Sequence, residues 1–421
     1  MSGLDFGRYV LSAGLATALV SGCGGSQPPI AAFDSHSPSL AEPFGTYTSL
    51  YTFQVEPDGQ RPEARLFPFD GSLYGVTSVG GKRCQLKGCG VVFKITTAGH
   101  ETILHRFLGL PDGAEPLEEL AALKQDLYGT TYSGGLPCGV AFGCGTVFKL
   151  DSSGTERVLY RFNRAPDGIH PQSPLILIGN TFYGTTSSGG TECTIDRHGC
   201  GTVYTVTASG QEKVLYRFQG KPDGAVPAGD LTLLYGTLYG TTFEGGACGG
   251  GTVFAITLSG SERVVYSAGC VAHDMEGPSG LVSMDGVLYG SSLGGGRTGG
   301  GTVYAVTTSG NEHIVYGFDP NHLFKGDAPS GRLIAVNGLL YGTTRAGGAD
   351  KYSGYGIVYS LTPSGKLSVL YRFKGAPDGS DPVAGVSDAK GVLYGTTYFG
   401  GHGCRYSSCT PGYGTVFRLT R

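Results

Sequence analysis

Two breaks in an otherwise regular chain hold the residue types best suited to chemistry. One reads Ser267-Ala268-Gly269-Cys270-Val271-Ala272-His273-Asp274-Met275-Glu276-Gly277, the other Asp319-Pro320-Asn321-His322-Leu323-Phe324-Lys325-Gly326-Asp327. Imidazoles beside carboxylates suit proton transfer or metal ligation, so His273, Asp274, Glu276, His322, Lys325 and Asp327 form a candidate loop site. Drift in solvent loops explains the same residues equally well. A second series, Asp58, Asp112, Asp167, Asp223 and Asp378, lies in Pro-Asp-Gly triplets. Calcium needs about six to eight oxygens, and one acid per loop falls short of that. The triplet is also ordinary turn chemistry, with proline fixing φ, aspartate bonding the local backbone and glycine taking positive φ. The chain has no Gly-x-Ser-x-Gly elbow, His-Glu-x-x-His helix or phosphate loop. No catalytic residue is assigned, and neither a metal nor a cofactor is expected.

The elements that must position these loops repeat. Leu73-Tyr74-Gly75 returns as Leu127-Tyr128-Gly129, Phe182-Tyr183-Gly184, Leu238-Tyr239-Gly240, Leu288-Tyr289-Gly290, Leu340-Tyr341-Gly342 and Leu393-Tyr394-Gly395, at a period of about 53 residues. The second unit shows four short runs: one around Leu120-Ala121-Ala122-Leu123, then Leu127-Tyr128-Gly129-Thr130-Thr131, Gly145-Thr146-Val147-Phe148-Lys149-Leu150 and Arg157-Val158-Leu159-Tyr160-Arg161-Phe162. Runs rich in Val, Leu, Thr and aromatics between Gly, Asp, Ser and Pro read as strands, and four per unit make a propeller blade. With 75 glycines and 22 prolines punctuating every segment, helical solenoids are excluded. The expected class is all-β, a seven-bladed β-propeller of four-stranded antiparallel blades. An open right-handed β-solenoid is the alternative.

The last unit stops at Gly414-Thr415-Val416-Phe417-Arg418-Leu419, without a fourth strand, while Ser49-Leu50-Tyr51-Thr52-Phe53 near the start matches Val158-Leu159-Tyr160-Arg161-Phe162. This complementarity predicts a ring closed by pairing of the first strand with the last blade. The N-terminal strand is then the outermost of that blade, and the run around Leu120 lines a central channel. The Pro-Asp-Gly connections share one face with the loops between second and third strands. Those loops vary from four to twelve residues, and variation on a constant scaffold is where binding concentrates.

Cysteines concentrate in the same loops: Cys84 with Cys89, Cys138 with Cys144, Cys193 with Cys200 and Cys404 with Cys409, with Cys248 and Cys270 a fifth candidate pair. Local disulfides fit these spacings; zinc is the alternative, although its sites use tighter spacers with a second pair nearby. Cys23, the eleventh, follows the apolar stretch after Arg8 in the context Val20-Ser21-Gly22-Cys23. This resembles a bacterial lipoprotein signal, with Cys23 lipidated; ordinary signal-peptidase cleavage is the other reading. The expected organisation is a signal peptide over 1–22, a flexible tether over 23–46 and the propeller over 47–421. Both readings export the protein, in agreement with disulfide use, to the outer membrane or to the periplasm and beyond.

The phrases Leu-Tyr-Gly-Thr-Thr, Gly-Gly-Gly-Thr-Val-Phe and Val-Leu-Tyr-Arg-Phe with Pro-Asp-Gly resemble the GloVer tandem repeat of bacterial surface proteins with varying anchors. The resemblance covers nearly all of 47–421 and implies no reaction and no catalytic residues. A formal charge of −3, with 15% charged residues and no basic face, excludes nucleic acid as a partner. The absence of tryptophan weakens a lectin reading, though 25 tyrosines can supply stacking surfaces. The expected function is a membrane-tethered module binding an unknown glycan, peptide or envelope protein through its loop-rich face. An exported hydrolase or lyase and a structural subunit of an envelope assembly are the alternatives, since fold does not choose among them.

Overall fold

The computed structural model describes residues 45–421 apart from 55, 82–83, 85–87, 141, 192, 194–197, 349–353, 402–411 and 421. The expected signal segment, Cys23, most of the expected tether and the expected Cys404–Cys409 pair therefore lie outside the described residues. Seven antiparallel sheets form a seven-bladed β-propeller. In the second blade the strands run from channel to rim as Ala121–Leu123, Asp126–Thr131, Thr146–Leu150 and Glu156–Arg161. Inner strands of different blades, through Phe67, Ala121, Ala122, Ile176 and Leu177, line one central cavity. Tyr47–Thr52 pairs antiparallel with Thr415–Thr420 as the outermost strand of the seventh blade, Tyr47 opposite Leu419 and Thr52 opposite Thr415.

Packing explains the repeat's most conspicuous phrase. The glycine of Leu-Tyr-Gly lies opposite an aromatic ring on the third strand, as Gly129 does opposite Phe148 and Gly184 opposite Tyr204. A Cβ on Gly129 would come within 2.6 Å of the Phe148 ring, so only glycine fits. Six of the seven such rings are met by a phenylalanine from the preceding blade, edge-on in Phe107 on Phe148 at 5.1 Å, Phe162 on Tyr204 at 5.0 Å and Phe218 on Phe254 at 5.1 Å. These rings are fully buried, each worth about 1.5–3 kcal/mol of burial, with about 0.5–1.5 more for the edge-to-face contact. The hydrophobic core is thus a series of joints between blades. Where that ring is a tyrosine, as at Tyr204, Tyr304 and Tyr359, its hydroxyl is buried with no hydrogen-bond partner among the described residues.

Each outer strand carries a β-bulge, shown in the second blade by the register jump from Tyr160 opposite Val147 to Val158 opposite Phe148. The bulge turns a carbonyl toward the next blade. There it meets the glycine of a Ser-Gly turn: a Cβ on Gly260 would stand 2.8 Å from the Leu215 oxygen. Gly260 also has φ +96°, so both space and backbone select glycine.

The Pro-Asp-Gly aspartates are turn anchors. Asp167 accepts from the Tyr160 hydroxyl at 2.8 Å and from the Asn163 and Gly168 amides at 2.9 and 2.7 Å; Asp58 makes the equivalent three bonds with Tyr51, Gln54 and Gly59. The connection after the triplet runs along the second strand before it turns into the channel, adding short strands such as Gly168–Pro171. A left-handed residue interrupts it, His170 in that unit and Glu115, Val226 and Ala328 in others. In the fifth blade glycine at 277 and 280 accommodates the same bends, and one strand runs unbroken over Met275–Met284. Among the described residues no helix is long and apolar enough to cross a membrane.

Candidate functional site

In an antiparallel meander the outer-to-inner connections and the second-to-third loops emerge on one face, and on that face the channel opens into a cavity of about 210 Å³. Every blade contributes to its wall. The residue preceding the first inner-strand apolar side chain is Arg65, Glu119, Pro174, Asp230, Gly280, Arg332 and Gly385 in chain order, while the apolar residue itself is Leu in six units and Val386 in the seventh. Four of these seven are charged, and they meet. Arg65 donates to Glu119 Oε2 from Nε at 2.8 Å and from Nη2 at 2.6 Å, and its Nη2 lies 3.5 Å from Asp230 Oδ2. Arg332 donates to Glu118 and pairs with the other oxygen of Asp230. The first, second, fourth and sixth blades are thereby joined across the axis by five side chains only 9–16% exposed.

Electrostatics there are finely balanced. Burial pushes Glu118 and Glu119 up from the ordinary carboxylate range, while Arg332 and Arg65 respectively pull them back. Glu63, also on the cavity wall, is raised by burial and accepts from the Ser78 hydroxyl at 2.5 Å. Carboxyls outnumber guanidinium groups at the mouth. A ligand therefore meets a mixed, mainly acidic, hydrogen-bonding surface whose members already hold one another in place.

One strand outward, the residue after each Thr-Thr or its equivalent also varies: Ser78, Tyr132, Ser187, Phe243, Leu293, Arg345 and Tyr398. Several pair with the left-handed position of the following blade. Tyr132 stacks on His170 with ring centroids 4.2 Å apart, Arg61 lies over the Tyr398 ring at 5.3 Å, and Arg345 forms a bidentate pair with Asp381 at 2.9 and 3.1 Å. Phe243 packs where a side chain at Gly277 would stand and is itself exposed.

The loop residues singled out from sequence fall in separate surroundings. Asp274 is buried and does the work of a Pro-Asp-Gly aspartate, accepting from Tyr266, from the Cys270 amide at 3.2 Å and from the Met275 amide at 2.8 Å. The irregular segment around it is a compensated packing change: Ala268 replaces the joint phenylalanine, Met275 replaces the glycine, and both enter the core cluster that holds Tyr304. His273 is exposed in a left-handed conformation, and Glu276 lines an open groove of about 660 Å³ with Lys221, Phe243 and the Cys248 loop. His322 is exposed, its Nδ1 2.6 Å from Asp319 Oδ2. Lys325 ends a single 3-10 turn, and Asp327 is half-buried on a short strand opposite Ala346. Gly326 packs on Thr344 as Gly168 does on Thr186, so Lys325 stands where other units have aspartate. Among the described residues, the one group of metal-ligating side chains contains none of these six.

Four cysteine pairs are joined: Cys84–Cys89, Cys138–Cys144, Cys193–Cys200 and Cys248–Cys270, with Cα separations of 5.2–6.0 Å. The channel-mouth charges were missed from sequence because each looks like an isolated polar residue within its own unit. Their signal was alignment of the units on the inner-strand leucine, which puts a charge at one column in four of seven copies.

Comparison with known proteins places the repeat. A family model described as the Gloeobacter/Verrucomicrobia repeat matches residues 39–195, 85–289 and 271–421. No curated protein shows significant sequence similarity. Among solved structures, a protein assigned as a 6-phosphogluconolactonase from Bacteroides uniformis is 16% identical over 77% of this chain and 87% of its own, with a TM-score of 0.50. The computationally designed Ika8 protein is 11% identical over 89% of this chain and 99% of its own, TM-score 0.49. A chain of a nidogen/laminin complex is 13% identical over 66% of this chain and 89% of its own, TM-score 0.40. At 16% identity the likeness to the Bacteroides protein is one of fold alone.

Proposed function

The chain belongs to the Gloeobacter/Verrucomicrobia repeat family, and from the place where it breaks its own repeat we propose that it is an exported, membrane-tethered binding module that takes a glycan at the channel mouth on its loop-rich face. The observation that carries this reading is the column Arg65, Glu119, Asp230 and Arg332. In a repeat whose other positions are set by packing, four charges converge in the one place where all blades meet. Hydroxyl-rich ligands suit such a surface, because each hydroxyl donates to a carboxylate and accepts from a guanidinium. Tyr132, Phe243 and Tyr398, one strand outward, offer the aromatic faces on which sugar rings pack. Loop disulfides support an exported location, and Cys23 would carry the lipid tether.

The test is an array of peptidoglycan fragments, envelope polysaccharide fragments and neutral oligosaccharides probed with the purified protein. Retention of at least one class is expected, weakened more than about 10-fold by Asp230→Asn and by Tyr398→Ala, about 1.4 kcal/mol or more each. Retention of none, or binding that survives both changes, overturns the proposal. A hydrolase or lyase is the second reading, favoured by two carboxyls on the cavity wall, Glu63 and Glu118, that burial holds above their ordinary range. Cleavage of a retained glycan, abolished by Glu118→Gln with binding intact, would place that reading first.

A further inference from the structure

A joint motif recurs around the rim. An outer-strand tyrosine donates to the aspartate seven residues on, as Tyr160 does to Asp167 and Tyr216 to Asp223, and a glutamate opening the next blade's outer strand faces that pair, Glu212 and Glu262 in these two cases. At the tyrosine position one joint differs: where the other six outer strands have tyrosine, the first blade has His105. Its Nε2 lies 3.4 Å from Asp112 Oδ2, and Glu156 of the second blade completes the group. The three ligand atoms lie within 4.8 Å of one another, the sole such group of three among the described residues.

We propose that His105, Asp112 and Glu156 bind a divalent transition metal of the zinc class, clasping the first blade to the second. Among the described residues, Asp112 Oδ1 and Glu156 Oε1 are buried with no hydrogen-bond partner. The glutamate oxygen is equally unpartnered at the joints of Glu101, Glu212, Glu262 and Glu312, where the aromatic partner is a phenol. Burial raises those tyrosines above their ordinary range, so they keep the proton and cannot ligate, and a proton shared between the acids is the available neutraliser. An imidazole instead presents a lone pair beside two carboxyl groups, which a bound cation would hold ionised with a total charge of −2. Ligand arms of about 2.1 Å at tetrahedral angles put donor atoms about 3.4 Å apart, which the His105–Asp112 pair already shows. Side chains 19% and 15% exposed leave the ion a route in and a position for water. Two carboxylates and one imidazole suit zinc, manganese or iron rather than an all-oxygen calcium cage.

The test is calorimetric titration of the metal-stripped full chain with Zn²⁺, repeated with Ca²⁺, and followed by thermal melts. One equivalent of Zn²⁺ is expected to bind and to raise Tm. His105→Tyr, which installs the residue of the other joints and so preserves the fold, should weaken binding at least about 100-fold, since loss of an outer-shell partner alone costs about 10–100-fold. Glu156→Gln should do the same without lowering the apo melting temperature. Absence of zinc binding, unchanged affinity in His105→Tyr, or uptake of several equivalents shared with the tyrosine joints overturns the assignment.

Discussion

Removing Arg332 tests whether the channel mouth is a preorganised ionic network or a set of solvated charges. Its guanidinium is 15% exposed and holds two carboxylates from different blades, Glu118 at 9% and Asp230 at 16%. Arg332→Met keeps much of the side-chain volume but leaves both acids without their shared cation, because Arg65 is engaged by Glu119 and reaches only one oxygen of Asp230. Breaking a buried pair from one side costs about 3–5 kcal/mol. At about 2.1 cal/mol/K per residue over roughly 375 residues, the unfolding entropy is about 0.8 kcal/mol/K, so Tm should fall about 4–6 °C at pH 8. The pH dependence follows from Glu118. Burial already raises it above its unfolded value, and loss of Arg332 removes the charge that pulled it down. A raised carboxyl costs stability as pH rises through its folded pKa and costs none below its unfolded value, so the deficit should shrink to less than half at pH 5. Scanning calorimetry at the two pH values, with exposed Lys325→Ala as a control expected to change little, reads this directly. A fall below about 1 °C at pH 8, or an equal deficit at both pH values, would refute the network.

Three further outcomes are expected. Tyr204→Phe, Tyr304→Phe and Tyr359→Phe each remove a buried hydroxyl with no partner and install the ring that Phe93, Phe148 and Phe254 supply elsewhere, so each should be neutral or stabilising by about 1 kcal/mol; a loss in denaturant melts would reveal an unseen partner. Burial, then the neighbouring Asp223, lifts Glu262 to about 7, above its unfolded value, so its contribution is favourable below about pH 4.5 and lost as pH rises through 7. Glu262→Gln should therefore melt above the parent at pH 8 and show no advantage at pH 4.5, and the reverse order would contradict the sign. Ser49→Pro removes an amide from the strand paired with Phe417 and should lower Tm and expose a sheet edge that drives oligomers in light scattering, whereas an unaltered monomer would mean that the pairing contributes little.

The blades were legible because each strand and turn is specified locally and seven times over. Leu-Tyr-Gly, the third-strand aromatic and Ser-Gly fix one another by contact within a unit or with the next, so the period alone carries them. The site was hidden for the opposite reason. Arg65 and Asp230 are 165 residues apart and meet only once the ring brings their blades to the axis. The loop breaks misled in a third way: Asp274 looked like an exception but serves the turn, and the loss of Phe at Ala268 is offset by Met275 in the same core. A compensated packing change and an exposed functional loop look alike when volume cannot be summed across space.

The turn glycine that receives the preceding blade's bulge carbonyl also bears on how such rings change size. Each of the first six units carries the socket for its predecessor, as at Gly210 and Gly260, and the bulge for its successor, as at Leu159 and Leu215. Duplicating one stretch of about 53 residues thus copies a whole joint, and the rim imposes no particular copy number. The axis does. Arg65, Glu119, Asp230 and Arg332 come from blades one, two, four and six, and an inserted or lost unit would carry their partners out of reach. The channel mouth is therefore the part of the molecule that counts to seven, and a lineage that gains or sheds a blade must rewrite those few residues before it can recover whatever the mouth holds.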